Sequence, residues 1–437
     1  MPLQPLTSGQ FAEKVRAVNR PGRGAVPFRS VTAECALATA SAEINRLGLT
    51  ARAAVLGVAA SPTTRVTLFR DGARVAVGAG KGTGHQGAAS AYFEALERYL
   101  MSARDNRRWT ADATRLLSAT VVAGQSALES DLVVRRWAAE FPDAVAACAS
   151  YGGVRYPTFL TDPRYYRWPV AGDDVRPYRS LLRYSSSLGT AAGVDLAEAV
   201  YHGLCELIEH DGLGQALLRW FVAGVPDVDL VPVGDLPDGL RSLHAEAERA
   251  AGAPVHLLDV TTDLDVPVYL AVSRTADGEP TRLGAGASLW ATDAASRALG
   301  ELIQVCALSP SAAGSPAGQR LATWPALQRC ASMPLDQLLS GPVRAVPLRA
   351  DVAGDGSPGW GLEHVGRALA RHGIGYHVCE IAPVGSPIAV ATTIAPGLER
   401  FSLVRHGVPV IPTGRGWHLW PSPDQATITR PHPVRAR

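Results

Sequence analysis

The chain has 437 residues, is 47% hydrophobic and 19% charged, and carries nine tryptophans and a formal net charge of +2. That balance excludes a disordered chain or a single small module and predicts two or three lobes around a large core. No long Lys/Arg run is present, so no nucleic-acid face is suggested. Residues 1–27 hold no apolar h-region, and no stretch approaches the roughly 18–20 apolar residues of a membrane span. The expected location is cytoplasmic.

Along the chain, residues 31–50 place Leu37, Ala40, Ile44 and Leu47 at helical spacing, with Gly48 as a stop. Val66–Phe69 and Val75–Val77 flank Asp71-Gly72, the signature of a tight hairpin. The hairpin leads into Gly78-Ala79-Gly80-Lys81-Gly82-Thr83-Gly84, and residues 87–103, rich in Ala, Leu and Glu, read as a helix. Residues 104–178 show no clean period and are expected to form an irregular insert. A second unit runs from Ser185-Ser186-Ser187-Leu188-Gly189 through Gly193 into a helix over about 195–221. A third runs from strands at 255–258 and 266–272, through Gly284-Ala285-Gly286, into a helix over 293–308. Residues 309–345, rich in Ser, Pro and Gly, predict a mobile or irregular connection. Strands are expected at 376–381 and 388–394 in a final part, 346–437. The pattern predicts an α/β, mixed α+β fold in which three strand–glycine loop–helix units converge. Its core spans 31–308, and residues 1–30 form an N-terminal tail. The six cysteines (Cys35, Cys148, Cys205, Cys306, Cys330 and Cys379) include no Cys-x-x-Cys pair. They are expected to act as small buried hydrophobes rather than as zinc ligands or a disulfide framework.

Each of the three helices carries polar residues at i, i+4 and i+7, along one face. The rows are Ser90, Glu94, Glu97; His202, Glu206, Glu209; and Arg297, Glu301, Gln304. Such rows can be solvated helix faces. Repeated three times on otherwise apolar helices, they instead place acids where burial without a counter-charge costs several kcal/mol. Magnesium arriving with the phosphates of a nucleotide is the natural partner. The glycine-rich loops, each opening a helix, would add backbone N–H groups for an anion. Gly80-Lys81-Gly82 lacks the features of a Walker A loop. Gly82-Thr83-Gly84-His85-Gln86-Gly87 matches G-x-G-x-x-G, but it follows a hairpin rather than opening a βαβ unit.

These motifs resemble the signatures of the YcaO family. The first is Gly80-Lys81-Gly82 with Ser90-x-x-x-Glu94-x-x-Glu97-Arg98-Tyr99. The second is Ser187-x-Gly189-x-Ala191-Ala192-Gly193 with Glu198-Ala199 and Gly203-Leu204-x-Glu206-x-x-Glu209. The third is Gly284-x-Gly286 with Arg297-Ala298-x-x-Glu301-x-x-Gln304, and Pro396-Gly397-Leu398-Glu399 is similar to a later family turn. The resemblance implies a YcaO-type fold that binds ATP and Mg2+. Glu94, Glu97, Glu206, Glu209 and Glu301 would hold the metal, and Lys81, Ser90, Arg98, Ser187, Arg297 and Gln304 would contact the nucleotide. Arg297, with a planar fork suited to phosphate oxygens, would also serve catalysis. Leu188, Val194 and His210 stand where the family usually has Asn, Asn and Arg, which leaves a non-catalytic, nucleotide-binding copy as an alternative.

The implied reaction is ATP-dependent activation of a backbone amide in a ribosomally made precursor peptide. A neighbouring nucleophile adds to the carbonyl, the resulting oxygen takes the γ-phosphoryl group, and phosphate then leaves. With a Cys, Ser or Thr nucleophile the product is an azoline. Macrocyclic amidines of the bottromycin type and thioamides are the alternatives. Azoline-forming relatives commonly end in Pro-x-Pro-x-Pro; here Pro431-His432-Pro433 preserves part of that tail, and His432 is a candidate base. The chain has no evident room for a leader-binding domain, so a separate partner protein or a standalone mode is expected. A homodimer is the expected assembly.

Overall fold

The computed structural model describes residues 26–57, 62–82, 84–101, 113–174, 176–274, 280–308 and 316–421. Helix α1 (Ala33–Arg46) opens on Thr32, whose side chain accepts the Cys35 N–H. Strands β1 (Thr50–Leu56), β2 (Thr63–Arg70) and β3 (Ala73–Lys81) form an antiparallel sheet. Its second hairpin turns at Asp71 and Gly72, with φ of 50° and 77°, the paired positive angles that match the twist of the flanking strands. Helix α2 (Gly84–Leu100) packs on β3 and against α1.

The stretch expected to be an irregular insert is ordered where it is described. Strands β4 (Arg115–Ser118), β5 (Val145–Tyr151) and β6 (Val154–Pro157) make a second antiparallel sheet, with helix α3 (Leu132–Glu140) between β4 and β5. Trp137, Tyr151, Tyr156, Phe159 and Tyr165 are buried there in the main core. Strands β4 and β6 are too short to show a period and β5 is buried on both faces, so the order of the segment comes from this aromatic packing.

Strand β7 (Thr190–Gly193) leads into helix α4 (Leu196–Leu217), which continues as one π-helical turn at Leu218–Val222. The Asp195 side chain caps α4 by accepting the Glu198 N–H at 2.8 Å. Almost all of α4 is buried, as befits a helix running through the middle of a core. Strand β8 (Val228–Val231), helix α5 (Asp238–Ala251), strands β9 (Val255–Asp259), β10 (Val268–Ser273) and β11 (Arg282–Ala287), and helix α6 (Ala291–Leu308) follow.

The connection at 309–345 is likewise more regular than expected. Its described part forms helical turns at Pro316–Arg320, Pro325–Ser332 and Leu335–Leu339, then strand β12 (Val343–Ala345). Strand β12 pairs parallel with β8 and completes a five-stranded sheet in the order β11-β10-β9-β8-β12. Leu321, Leu327, Cys330 and Leu335 are buried and hold this segment down, so apolar anchors outweigh its Ser, Pro and Gly content. Helix α7 (Pro358–Arg371) and strands β13 (His377–Glu380) and β14 (Ala389–Ile394) follow, and 3-10 turns at Phe401–His406 and Arg415–Leu419 close the described chain. Strand β14 pairs antiparallel with β7, Ala389 opposite Gly193, which carries the C-terminal part to the foot of α4. Of the cysteines, Cys148, Cys205, Cys306 and Cys330 are buried, whereas Cys35 is exposed and Cys379 half-buried.

The glycines of the first and third units have a different task from the one the sequence suggests. Gly78 and Gly80 lie within β3, and Gly284 and Gly286 within β11. A Cβ on Gly80 would stand 2.0 Å from the Gly87 carbonyl oxygen, and one on Gly286 would stand 2.3 Å from that of Ala294. These glycines let α2 and α6 ride directly on their strands, so they are packing contacts rather than loops presented to a phosphate. Because β1, β2 and β3 are antiparallel, the G-x-G-x-x-G run does not sit in a βαβ unit.

Candidate active site

Helices α2, α4 and α6 bring their polar rows to one place, tied together through backbone and side-chain contacts. Lys81, at the end of β3, donates from Nζ to the Arg297 carbonyl at 2.9 Å and stands 3.6 Å from Glu301 Oε2. Gln304 Nε2 donates to the Ala79 carbonyl at 3.3 Å, so α6 is held to β3 at two points. Arg297 Nη1 lies 3.4 Å from His202 Nδ1, joining α6 to α4. On α2, Glu94 accepts the Ala79 N–H at 2.6 Å and pairs with Arg98, whose Nη1 also donates to the Val77 carbonyl. On α4, Glu206 accepts the Gly189 N–H at 2.9 Å. Gly189 has φ of +79°, and a Cβ there would strike the Thr393 carbonyl at 2.2 Å, so only glycine lets the chain turn between α4 and β14 and aim its N–H at Glu206.

The acids of the three helices feel one another. Burial raises the pKa of Glu97 well above the carboxylate range, and the charges of Glu206 and Glu94 push it further. Glu206 is pushed up to about 7 by burial, with repulsion from Glu301 and Glu94 opposing the Gly189 N–H and Arg297. Glu209 rises to about 8 through burial and Glu301, against the pull of Arg297 and Lys81. Burial also raises Glu94, with Arg98 and the Ala79 N–H acting the other way. Lys81 is lowered by burial, partly countered by Glu301. Burial likewise disfavours the charge on Arg297, yet Asp293, Cys205 and Glu209 more than compensate and raise it. Charge of one sign is thus gathered from three separate helices, the arrangement that a cation relieves.

Among the described residues no group of three His, Cys, Asp or Glu could enclose a metal ion unaided. Magnesium is commonly held by one or two carboxylates and completed by phosphate oxygens and water. Two buried nitrogens, Arg297 Nε and His202 Nε2, have no hydrogen-bond partner among the described residues. Ser90 is half-buried on α2, and Ser187 is exposed in the turn before β7, its carbonyl accepting the Thr190 N–H at 3.0 Å. The tail residues Pro431, His432 and Pro433 fall outside the described residues.

The three departures from the family pattern have local partners. Leu188 packs against the main core, and Val194 against the cluster beneath α2. His210 Nδ1 lies 2.8 Å from Ser402 Oγ, and burial, with His406 nearby, lowers its pKa to about 4. A neutral ring held by Ser402 therefore stands where the resemblance would place a fixed positive charge. Glu399, from the Pro396-Gly397-Leu398-Glu399 turn, accepts five backbone N–H groups, from Arg400, Phe401, Thr413, Gly414 and Gly416. Its role is to knit the C-terminal turns. His202 is the residue that sequence reasoning left without a part. It stands in the α4 row, yet only the assembled helices show that it faces Arg297.

A family model described as YcaO cyclodehydratase, ATP- and Mg2+-binding, matches residues 79–399. The chain belongs to the YcaO family. Its cofactors are accordingly ATP and Mg2+, and the structure of YcaO from Methanopyrus kandleri was solved with AMPPCP and Mg2+ bound. This chain superposes on that protein with a TM-score of 0.60 at 20% identity, over 88% of this chain and 96% of the other. A heterocyclase in complex with substrate and cofactor gives a TM-score of 0.61 at 18% identity, over 95% of this chain but 58% of the longer one. The E. coli microcin synthetase McbBCD complex gives 0.54 at 12% identity, over 80% of this chain and 88% of the other. At these identities the likeness shows the fold. An uncharacterized protein in the tfuA 3′ region of Rhizobium leguminosarum bv. trifolii is 34% identical over 105 residues, 24% of each chain. Among the described residues, no helix of this YcaO protein is long and apolar enough to cross a membrane.

Proposed function

We propose that this YcaO protein uses Mg2+ and ATP to activate a backbone amide in a ribosomally synthesised precursor peptide, so that a Cys, Ser or Thr side chain closes onto it as a thiazoline or oxazoline. The observation that carries the reading is the gathering of Glu94, Glu97, Glu206, Glu209 and Glu301 from three helices near Lys81 and Arg297, where burial and the neighbouring carboxylates drive up the pKa values of Glu94, Glu97, Glu206 and Glu209. In this reading the five glutamates are the magnesium ligands, one or two to an ion with phosphate oxygens and water completing its shell, and the metal supplies charge stabilisation on the phosphates. Lys81, Ser90, Arg98, Ser187, Arg297 and Gln304 hold the nucleotide. Arg297 presents its guanidinium to the transferring phosphoryl group, and orientation of the two substrates does most of the work. His432, between Pro431 and Pro433, is assigned the part of a base. A separate leader-binding protein and a homodimeric assembly belong to the same proposal.

Titration of Mg2+·ATP by calorimetry tests it. Wild type should bind, and Glu206→Gln, which removes a charge while keeping the side-chain shape, should bind at least about tenfold more weakly, a loss of roughly 1.4 kcal/mol. Equal affinity would reduce the glutamate rows to helix faces. With a precursor peptide in hand, the product should lose one water per modified residue as ATP is split to ADP and phosphate. Nucleotide binding without turnover would instead favour a binding subunit, a role to which Leu188 and His210 would be suited.

A further inference from the structure

Helix α6 holds a glycine in its interior, Gly300, although glycine is among the poorest residues for a helix. With Arg297, Glu301 and Gln304 it stands at i, i+3, i+4 and i+7, on one face. The glycines of β11 make room for backbone: a Cβ on Gly284 would stand 2.3 Å from the Ala298 carbonyl oxygen. Gly300 makes room for a side chain. Beyond the backbone of its own helix, the three nearest atoms that a Cβ there would meet are Cδ, Cγ and Cβ of Lys81, at 3.2, 3.6 and 3.8 Å.

The stem of Lys81 therefore lies across the bare side of Gly300. From there Nζ donates to the Arg297 carbonyl at 2.9 Å, about one turn back along α6, and stands 3.6 Å from Glu301 Oε2. A carbonyl oxygen has two lone pairs, so Arg297 can accept Lys81 without giving up its place in the helix. The Arg297 guanidinium starts from the same turn and reaches His202 on α4 at 3.4 Å. Two cationic groups are thus set from one turn of α6, and one of them lies where a side chain at position 300 would lie. An ammonium carries three donors, and its two partners on α6 leave one for a ligand oxygen. Holding a long flexible side chain in place before the ligand arrives removes part of the entropy cost of binding. A methyl group at position 300 would come closer to Lys81 Cδ than ordinary van der Waals contact, and of the two the flexible stem is the one to move.

We propose that Gly300 is a positioning residue: its missing side chain is the groove that seats Lys81, and that seating aims the ammonium at the phosphates of the nucleotide. The inference rests on the function proposed above, in which Lys81 holds the nucleotide. Calorimetric titration of Mg2+·ATP on the full chain tests it, with the unfolding midpoint read on each sample. Gly300→Ala should bind about two- to fivefold more weakly, while its unfolding midpoint stays unchanged or rises because alanine is the better helix former. Gly300→Leu, whose side chain fills the groove, should bind at least about tenfold more weakly. Lys81→Met keeps a long stem and removes the ammonium, and in that background Gly300→Ala should cost nothing further. A glycine needed only for packing would lose stability instead, and any loss of affinity would persist without the ammonium. Unchanged affinity in Gly300→Ala, or an equal loss with and without the ammonium, overturns the assignment. Gly300→Ala keeps the test decisive if Gly300→Leu does not fold. Lys81→Met separates the two ideas. If it binds as tightly as wild type, the nucleotide role of Lys81 fails and the groove with it. If it binds weakly while Gly300→Ala matches wild type, the groove alone fails.

Discussion

At the scale of single residues, Arg297 and His202 are the pair on which the nucleotide reading can be tested most cleanly. Both carry a buried nitrogen without a partner, and each such orphan costs on the order of 1–3 kcal/mol. His202 is 8% exposed, and burial, with Arg29 and Arg297 beside it, holds its pKa well below the usual range. It is therefore a neutral acceptor steadying a guanidinium. His202→Leu should weaken Mg2+·ATP binding about three- to tenfold by calorimetry, roughly 1 kcal/mol, while leaving the urea midpoint unchanged or raised, because a buried polar ring has gone. A purely structural histidine would show the reverse, with stability lost and affinity kept. The helical row containing His202 could be read from spacing within α4. Its partner lies 95 residues away on α6, and no local pattern names it.

Among the elements, the strand glycines make the sharpest prediction. Gly80→Ala would push a methyl group into the backbone of α2 at Gly87 and Ala91, where neither helix nor strand can yield without moving the other. A loss of about 1–3 kcal/mol or more is expected, seen as a lower denaturant midpoint with an unchanged slope. Gly72→Ala, in the hairpin turn, meets nothing within 4 Å and should cost only about 1 kcal/mol for its positive φ. The amphipathic opening helix, the Asp71-Gly72 hairpin and the three long helices were legible because their periods and turn residues are contiguous in the chain. The sheet of β4, β5 and β6 was not, since β4 and β6 have only four residues each and the seven of β5 are mostly buried on both faces, so none shows an alternating pattern within a stretch rich in Trp, Tyr and Pro.

For the molecule as a whole, the acidic cluster ties stability to pH and ligand. Glu206 and Glu209 have folded pKa values of about 7 and about 8, above the 4.5 of the free side chain. Between those values the folded protein holds protons that the unfolded chain has released, so stability falls as pH rises. Their contribution is fully present below about pH 4.5 and is lost on passing through 7 and 8. Metal ligation requires the deprotonated carboxylates, so affinity for Mg2+·ATP should rise over that same upper range. The ligand-free protein should melt at lower temperature at pH 8 than at pH 6, and the upward shift caused by Mg2+·ATP should be larger at pH 8. The Glu206→Gln, Glu209→Gln double variant should flatten both trends. By itself the sequence determined the rows of acids, the helices that bear them and the family they mark, because a period of i, i+4 and i+7 is written in neighbouring residues. Tertiary structure decided what those rows meet: β7 beside β14, glycines as helix seats, and a histidine against Arg297. The physical reason is that pairing, close packing and shared charge arise only when distant segments are pressed into one core.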